Sequence, residues 1–284
     1  MAVYDISGDN INLIYDDDGD ALAQAYDTDG NIVYTAEPPT LKVMTYNVQY
    51  FSKINSQSAM QSEIIQKYAP DIIGLQEIGG GTMPSVGVNV LNGYQYQVLG
   101  IQTNKTALAS KIALEDATSA IFANQGSETR GYNKAYIDFL GKRICWLNAH
   151  LEVSNATPRY AQMAELFAMA EQEQYCILTG DFNQYSNSTA SSDWQNMYKQ
   201  FVDAGYHLAN CEDNDHFVWT YSSKSTATGL DDTTAFYAPN CPDNIIASSN
   251  INIINVSFDD TKLSYLNGQT IDHIPIIAEL QISQ

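Results

Sequence analysis

Beyond residue 40 the chain repeats one device: a short apolar run of strand length that ends on a polar or ionisable cluster. Leu41–Asn47 ends on Tyr46-Asn47, residues 71–77 on Gln76-Glu77, and residues 143–150 on Asn148-Ala149-His150. Residues 175–179 run into Gly180-Asp181-Phe182-Asn183, Asp243 opens a further run, and Asp272-His273 precedes residues 274–282. Runs this apolar belong in strands covered on both faces. Between them, Met60, Ile64, Ile65 and Tyr68 share one helical face, and Met163, Leu166, Phe167 and Ala170 share another. Thr157 is predicted to N-cap the second helix, with Pro158 at its first position. Gly141-Lys142 between two strand-like runs signals a hairpin. Many strands with few helices predict an α/β fold of two packed sheets with helices outside.

The first 39 residues are different in kind. Tyr4-Asp5-Ile6-Ser7-Gly8 returns as Tyr15-Asp16-Asp17-Asp18-Gly19 and as Tyr26-Asp27-Thr28-Asp29-Gly30, a period of 11. Asp-Gly and Gly-Asn turns flanked by aliphatic and aromatic residues predict a small β ribbon. The spacing resembles the tyrosine–aspartate repeats of bacterial surface proteins, which points toward an extracellular or cell-surface setting. Asp16-Asp17-Asp18-Gly19-Asp20 is similar to part of a calcium loop but lacks the bidentate Glu that closes an EF-hand, so solvated turn acids are the preferred reading. Pro38-Pro39 marks the boundary, giving a repeat segment at 1–39 and a second domain at 40–284.

Charge narrows the partners. The chain has 13 Lys and Arg against 33 Asp and Glu, and the first 39 residues hold nine acids and no base. Phosphate backbones are gripped by Lys and Arg, so tight duplex binding through the bulk surface is excluded, and a nucleic-acid substrate would be bound weakly. No run of eighteen apolar residues occurs and no signal-peptide pattern opens the chain, so stable membrane insertion is not expected. Four cysteines make no disulfide framework; Cys145 and Cys176 read as core thiols, while a bridge between Cys211 and Cys241 is open.

Taken singly, an Asn or Asp after a strand is a turn residue and a lone His a structural one. Together the clusters gather hard oxygen ligands, two of the four histidines and an amide, an inventory for metal-assisted phosphoryl chemistry. Neither zinc-spaced Cys/His nor a Walker loop is present; Gly79-Gly80-Gly81 lacks the following Lys and Ser/Thr. The ordered set Leu41–Asn47, residues 71–77, Asn148-Ala149-His150-Leu151, Thr179-Gly180-Asp181-Phe182-Asn183 and Asp272-His273 resembles the endonuclease/exonuclease/phosphatase superfamily. Residues 47–51 and Asn240-Cys241-Pro242-Asp243 are similar to the pancreatic-type deoxyribonucleases in particular.

The resemblance implies a four-layer α-β-β-α sandwich of two mixed sheets and a Mg²⁺-dependent hydrolase, with Mn²⁺ able to substitute. It implies Glu77 as principal metal ligand with Asn47 and Asp272 nearby, and Asp181 as the group that orients or deprotonates the attacking water. Asn183 would hold a phosphate oxygen. His150 and His273 would stabilise the pentacovalent phosphate or protonate the leaving oxygen, and Asp243 would fix the His273 tautomer. Arg130 stands where relatives place a phosphate contact. Two departures bear on substrate: Ile78-Gly79-Gly80-Gly81 replaces a groove-entering Arg after Glu77, and no basic residue immediately precedes Asp243. A nuclease is the expected activity. The alternatives are a phosphodiesterase or phosphatase acting on phospholipid headgroups or inositol phosphates, and a non-catalytic surface protein reusing the fold.

Overall fold

The structure is a computed structural model, and the residues it describes are 14–15, 21–22, 24–26, 32–35, 39–48, 57–78, 91, 93–99, 105–184, 188–213, 217–218, 220–221, 241–259 and 273–283. The chain divides into two compact units, Met1–Thr40 and Leu41–Gln284. In the first unit β1 (Ile14–Tyr15) pairs antiparallel with β2 (Ala21–Leu22), and β3 (Gln24–Tyr26) with β4 (Ile32–Thr35). Two of the repeat tyrosines, Tyr15 and Tyr26, each close a strand. The acidic turn at 16–20 and the first repeat copy lie outside the described residues.

Among the described residues the second unit carries two six-stranded sheets. One contains β9 (Glu115–Ile121), β10 (Gly131–Phe139), β11 (Lys142–His150), β12 (Cys176–Asp181), β13 (His207–Leu208) and β14 (Asp243–Ala247), in the order β13-β14-β12-β11-β10-β9. The other contains β5 (Leu41–Asn47), β6 (Ile72–Gln76), β7 (Tyr96–Leu99), β8 (Ala107–Ser110), β15 (Ile251–Phe258) and β16 (Ile276–Ile282), in the order β15-β16-β5-β6-β8-β7. Each sheet has one parallel pair, β11 with β12 and β5 with β6; the other pairings are antiparallel. Helix α1 (Gln57–Tyr68) covers the second sheet, where Ile64 and Ile65 pack with Met44, Tyr46, Ile73 and Leu75. Helices α2 (Ala156–Ala170), α3 (Ser192–Met197) and α4 (Lys199–Asp203) cover the first, with Met163, Leu166, Trp194 and Phe201 in its outer core. A central core of Val43, Ile72, Leu108, Ile144, Trp146, Ile177, Ile245 and Ile276 lies between the sheets. The layer order α-β-β-α follows, as expected.

Strand alternation sorts side chains between these layers, and the inter-sheet face changes character along its length. On β5 it reads Leu41, Val43, Thr45, Asn47; on β12 it reads Ile177, Thr179, Asp181. The apolar end is the core. The middle is a buried polar seam: Gln76 Nε2 donates to Thr45 Oγ1 at 3.2 Å and to Asn148 Oδ1 at 2.7 Å, and Trp146 Nε1 donates to Thr179 Oγ1 at 3.0 Å. Buried polar groups hold a fold only when bonded, so the seam ties the sheets in one register. Gly74 is required there, because a Cβ would run into the Thr179 hydroxyl and lie 2.5 Å from Asn148 Oδ1.

One expectation changes and one open question closes. Asn155, not Thr157, caps α2: its side chain accepts from Thr157 N, and Pro158 falls in the first turn, where no N–H is needed. All four cysteines are buried thiols, so the bridge considered between Cys211 and Cys241 is not made. The Met60 side chain lies outside the described residues, whereas Ile64, Ile65 and Tyr68 face the core as expected. Among the described residues, no helix is long and apolar enough to cross a membrane.

Candidate active site

The polar strand ends converge because of strand direction. Asn47, Gln76, His150 and Asp181 are the last residues of four strands, and Asp243 is the first of an antiparallel neighbour. Register places His150 beside Asp181 and Asp181 beside Asp243. His273 comes just before β16, held by a bridge to Tyr221, whose ring centroid is 5.0 Å from its own, and by Ile274 N donating to Thr220 O. All sit at one end of the sandwich, where backbone and side chains are free to meet a ligand.

Asp181 is the centre. Its Oδ2 accepts from Asn47 Nδ2 at 2.8 Å and lies 3.4 Å from His150 Nε2 and 3.7 Å from His273 Nε2. Asn47 Nδ2 also reaches Glu77 Oε1 at 3.3 Å, so one amide joins two carboxylates. The Asn183 backbone N donates to Asp181 Oδ1, while its side-chain Nδ2 donates to Leu151 O. Glu77 and Asn183 both hold left-handed backbone, with φ of 56° and 52°, which L residues other than Asn rarely adopt. Such strain at a cluster of ionisable groups marks a site whose geometry the surroundings enforce.

The two histidines are held differently. His273 Nδ1 meets Asp243 Oδ2 at 2.7 Å, with both residues buried, which directs Nε2 toward Asp181. His150 Nδ1 is 2.9 Å from Arg130 Nη1. A guanidinium can only donate, so Nδ1 accepts and the ring proton stands on Nε2, facing Asp181 and Glu77. Burial, reinforced by Arg130 and His273, drives the His150 pKa well below the usual imidazole range. His150 is therefore a neutral donor, which narrows its expected roles to stabilising phosphate charge.

Burial also pushes the Glu77 and Asp181 carboxyls up, against the opposing pull of His273. Three carboxylates thus crowd one spot, and Asp243 Oδ1 is buried without a partner. A divalent cation fits this excess of hard oxygen. Asp181, Asp243 and His273 offer ligand atoms within 4.8 Å of one another. The His273 nitrogen nearest Asp243 is already engaged, however, and Glu77 is the carboxylate open to the pocket, its side chain 22% exposed. Glu77 with Asn47 would hold the ion. Asp272 lies outside the described residues.

A cavity of about 220 Å³ opens here, lined by Glu77, Arg130, His150, Asp181, Asn183 and His273, all singled out by sequence. Glu128, Val153 and Tyr221 also line it and were not, and Pro242, a further lining residue, was quoted only within the segment that leads to Asp243. They lie outside the strands, in segments with no periodicity to read; only Pro242, next to Asp243, had a neighbouring signal.

The model of the Endonuclease/Exonuclease/phosphatase family matches residues 44–265. The chain belongs to that family. It is a phosphoester hydrolase by family, and family members depend on a divalent cation. Solved structures share the fold. A Bacteroides vulgatus endonuclease/exonuclease/phosphatase aligns at TM-score 0.66 and 14% identity, over 86% of this chain and 100% of that one. One from Beutenbergia cavernae DSM 12333 aligns at 0.62 and 16%, over 86% and 72%. D. rerio TDP2, solved with a single-strand DNA product, aligns at 0.63 and 17%, over 85% and 99%. No curated protein matches the chain.

Proposed function

We propose that the second unit hydrolyses phosphodiester bonds of nucleic acids with Mg²⁺ as the resident ion. The observation that carries this reading is the convergence of the Asn47 amide and both histidine Nε2 atoms on Asp181 beside Glu77. Asp181, its carboxyl raised by burial, receives a proton from the attacking water as oxygen bonds to phosphorus. His150 donates from Nε2 to phosphate oxygens without changing charge, and Arg130 keeps that proton in place. His273, as an imidazolium braced by Asp243, gives its Nε2 proton to the leaving oxygen as the bond from that oxygen to phosphorus breaks. Asp181, whose Oδ2 is 3.7 Å from Nε2, passes His273 the proton taken from water. A bound Mg²⁺ would supply Lewis-acid neutralisation of a phosphate oxygen at Glu77 and Asn47. Asn183, in the pocket wall, positions the phosphate.

The DNA product in the TDP2 complex supports a nucleic-acid substrate. The net charge of −20 supports weak, transient engagement in place of tight duplex binding. The test is a panel of plasmid DNA, single-stranded DNA and RNA, sphingomyelin and inositol phosphates, each with Mg²⁺. Strand scission is the expected result. Release of phosphocholine or inorganic phosphate with nucleic acids intact would overturn the nuclease reading.

A further inference from the structure

We infer that Glu128 is a specificity-determining residue: its carboxylate covers Arg130 at the pocket mouth and disfavours a second phosphate beside the scissile one. The favoured substrate is then a phosphodiester at a strand end or in a short fragment. This rests on the nuclease reading above for the substrate's chemistry, but the placement of Glu128 does not.

The segment that carries Glu128 is built, not loose. Arg130 N donates to Gln125 Oε1 at 2.7 Å, and Gln125 Nε2 returns to the Phe122 and Arg130 carbonyls. Ser127 Oγ donates to Glu152 Oε1 at 2.8 Å, and Glu128 N approaches Glu152 Oε2 at 3.4 Å. Glu152 is fully buried, and a Cβ on Gly126 would run into its carboxylate. The backbone of 125–130 is thereby fixed against the fold.

From this frame Glu128 Oε2 reaches Arg130 Nη2 at 3.3 Å. Arg130 is itself buried, with Nη1 on His150 and a buried Nε that has no partner. Arg130 is the one permanent cation among the described residues lining the pocket, and Glu128 occupies its outer face. The Glu128 side chain is 54% exposed, against 22% for Glu77 and 2% for Asp181. A divalent cation, if held at Glu77, would offset charge inside the pocket. Glu128 remains as an outward-facing negative charge. The cavity, at about 220 Å³, is below the ~300–1,000 Å³ of ordinary ligand clefts, so only the scissile phosphate and its nearest substituents enter. A flanking phosphate stays at the mouth, where Glu128 is. The half-exposed carboxylate swings aside for one phosphate, because the entering anion takes its place as partner of the buried Arg130 guanidinium. It still repels the next charge along the strand, by about three- to tenfold in binding at ~7 Å with the effective dielectric of about 20 near a protein surface and screening at physiological salt.

The experiment uses the full chain with Mg²⁺ and measures binding of thymidine 5′-monophosphate and thymidine 3′,5′-bisphosphate by calorimetry. Wild type, Glu128→Gln and Glu128→Asp are compared at one ionic strength, and cleavage of a single-stranded oligonucleotide is followed alongside. Glu128→Gln is expected to shift the affinity ratio toward the bisphosphate by about three- to tenfold, while Glu128→Asp, which keeps the charge, holds the wild-type ratio. Glu128→Gln should also raise internal cleavage relative to release of terminal nucleotides. A ratio that moves less than twofold in Glu128→Gln overturns the inference even if the oligonucleotide is cut. A shifted ratio with no cleavage by wild type upholds Glu128 and instead overturns the nuclease reading. Failure of wild type to bind either nucleotide overturns both.

Discussion

Replacing Asp243 by asparagine keeps the shape of the His273 dyad and removes its charge. The bond from His273 Nδ1 to Asp243 Oδ2 is 2.7 Å long and buried, the class of charge-assisted hydrogen bond worth about 1.5–3 kcal/mol. An amide can also present its N–H to Nδ1, which moves the ring proton and misdirects Nε2. That adds ~1 kcal/mol or more, for a total near 3–4 kcal/mol in the transition state, or a loss on the order of 10²–10³ in rate. The same substitution in a Ser-His-Asp triad costs about 10⁴, and a smaller loss is expected here because a divalent cation carries part of the charge. The loss should fall on kcat with KM little changed, since the bond matters most when charge grows on the leaving oxygen. A double-mutant cycle with His273→Ala, read by steady-state cleavage of a dinucleotide whose leaving alkoxide needs a proton, should be strongly non-additive. Additive losses, or an Asp243→Asn enzyme at the wild-type rate, would refute the dyad.

Other consequences follow from burial and packing. Gly74→Ala forces a methyl into the Thr179–Asn148 seam and should cost about 1–3 kcal/mol, seen as a melting temperature several degrees lower; an unchanged melting curve would show that the sheets can part. Glu152→Gln tests the loop frame. Burial alone would raise the Glu152 carboxyl, but bonds from Ser154 N, Ser127 Oγ and Glu128 N hold it below the ordinary range. Its stabilisation is therefore present above the unfolded pKa near ~4.3 and lost as pH falls through the lower folded value. The variant should melt lower at pH 7, with a gap that closes at acid pH; a gap independent of pH would contradict the assignment. Deleting residues 1–38 should leave a cooperatively unfolding, active domain, because the compact second unit begins at Leu41; an insoluble or inactive truncation would contradict it.

The site was legible where the polypeptide is regular. Asn47, His150 and Asp181 each end an apolar run, and parallel strand direction brings such ends together without any knowledge of the loops. Arg130 was readable only by resemblance, and its hold on His150 was not readable at all, because a hydrogen bond spanning 20 residues leaves no periodic trace. Strand β9, Glu115–Ile121, is polar and almost wholly exposed; it is a strand because β10 pairs with it, a tertiary cause that overrides composition. Strand β15 is likewise an edge strand whose alternation is broken by a register shift at Ile253/Asn255. Asn155 outcompeted Thr157 as the cap because its side chain could accept from Thr157 N.

The most direct test of metal-assisted phosphodiester hydrolysis is the Mg²⁺ dependence of bis(4-nitrophenyl) phosphate turnover by wild type and Glu77→Gln. Glu77 is the carboxylate open to the pocket, and the carboxamide is nearly isosteric, so the fold should persist while affinity for the ion falls. Wild-type turnover should be abolished by a chelator and restored by Mg²⁺, while the Glu77→Gln enzyme should keep its melting temperature in chelator and show little or no activity at limiting Mg²⁺. A Glu77→Gln enzyme that matches wild type at limiting Mg²⁺, or a wild type indifferent to the chelator, would contradict metal-assisted hydrolysis at Glu77.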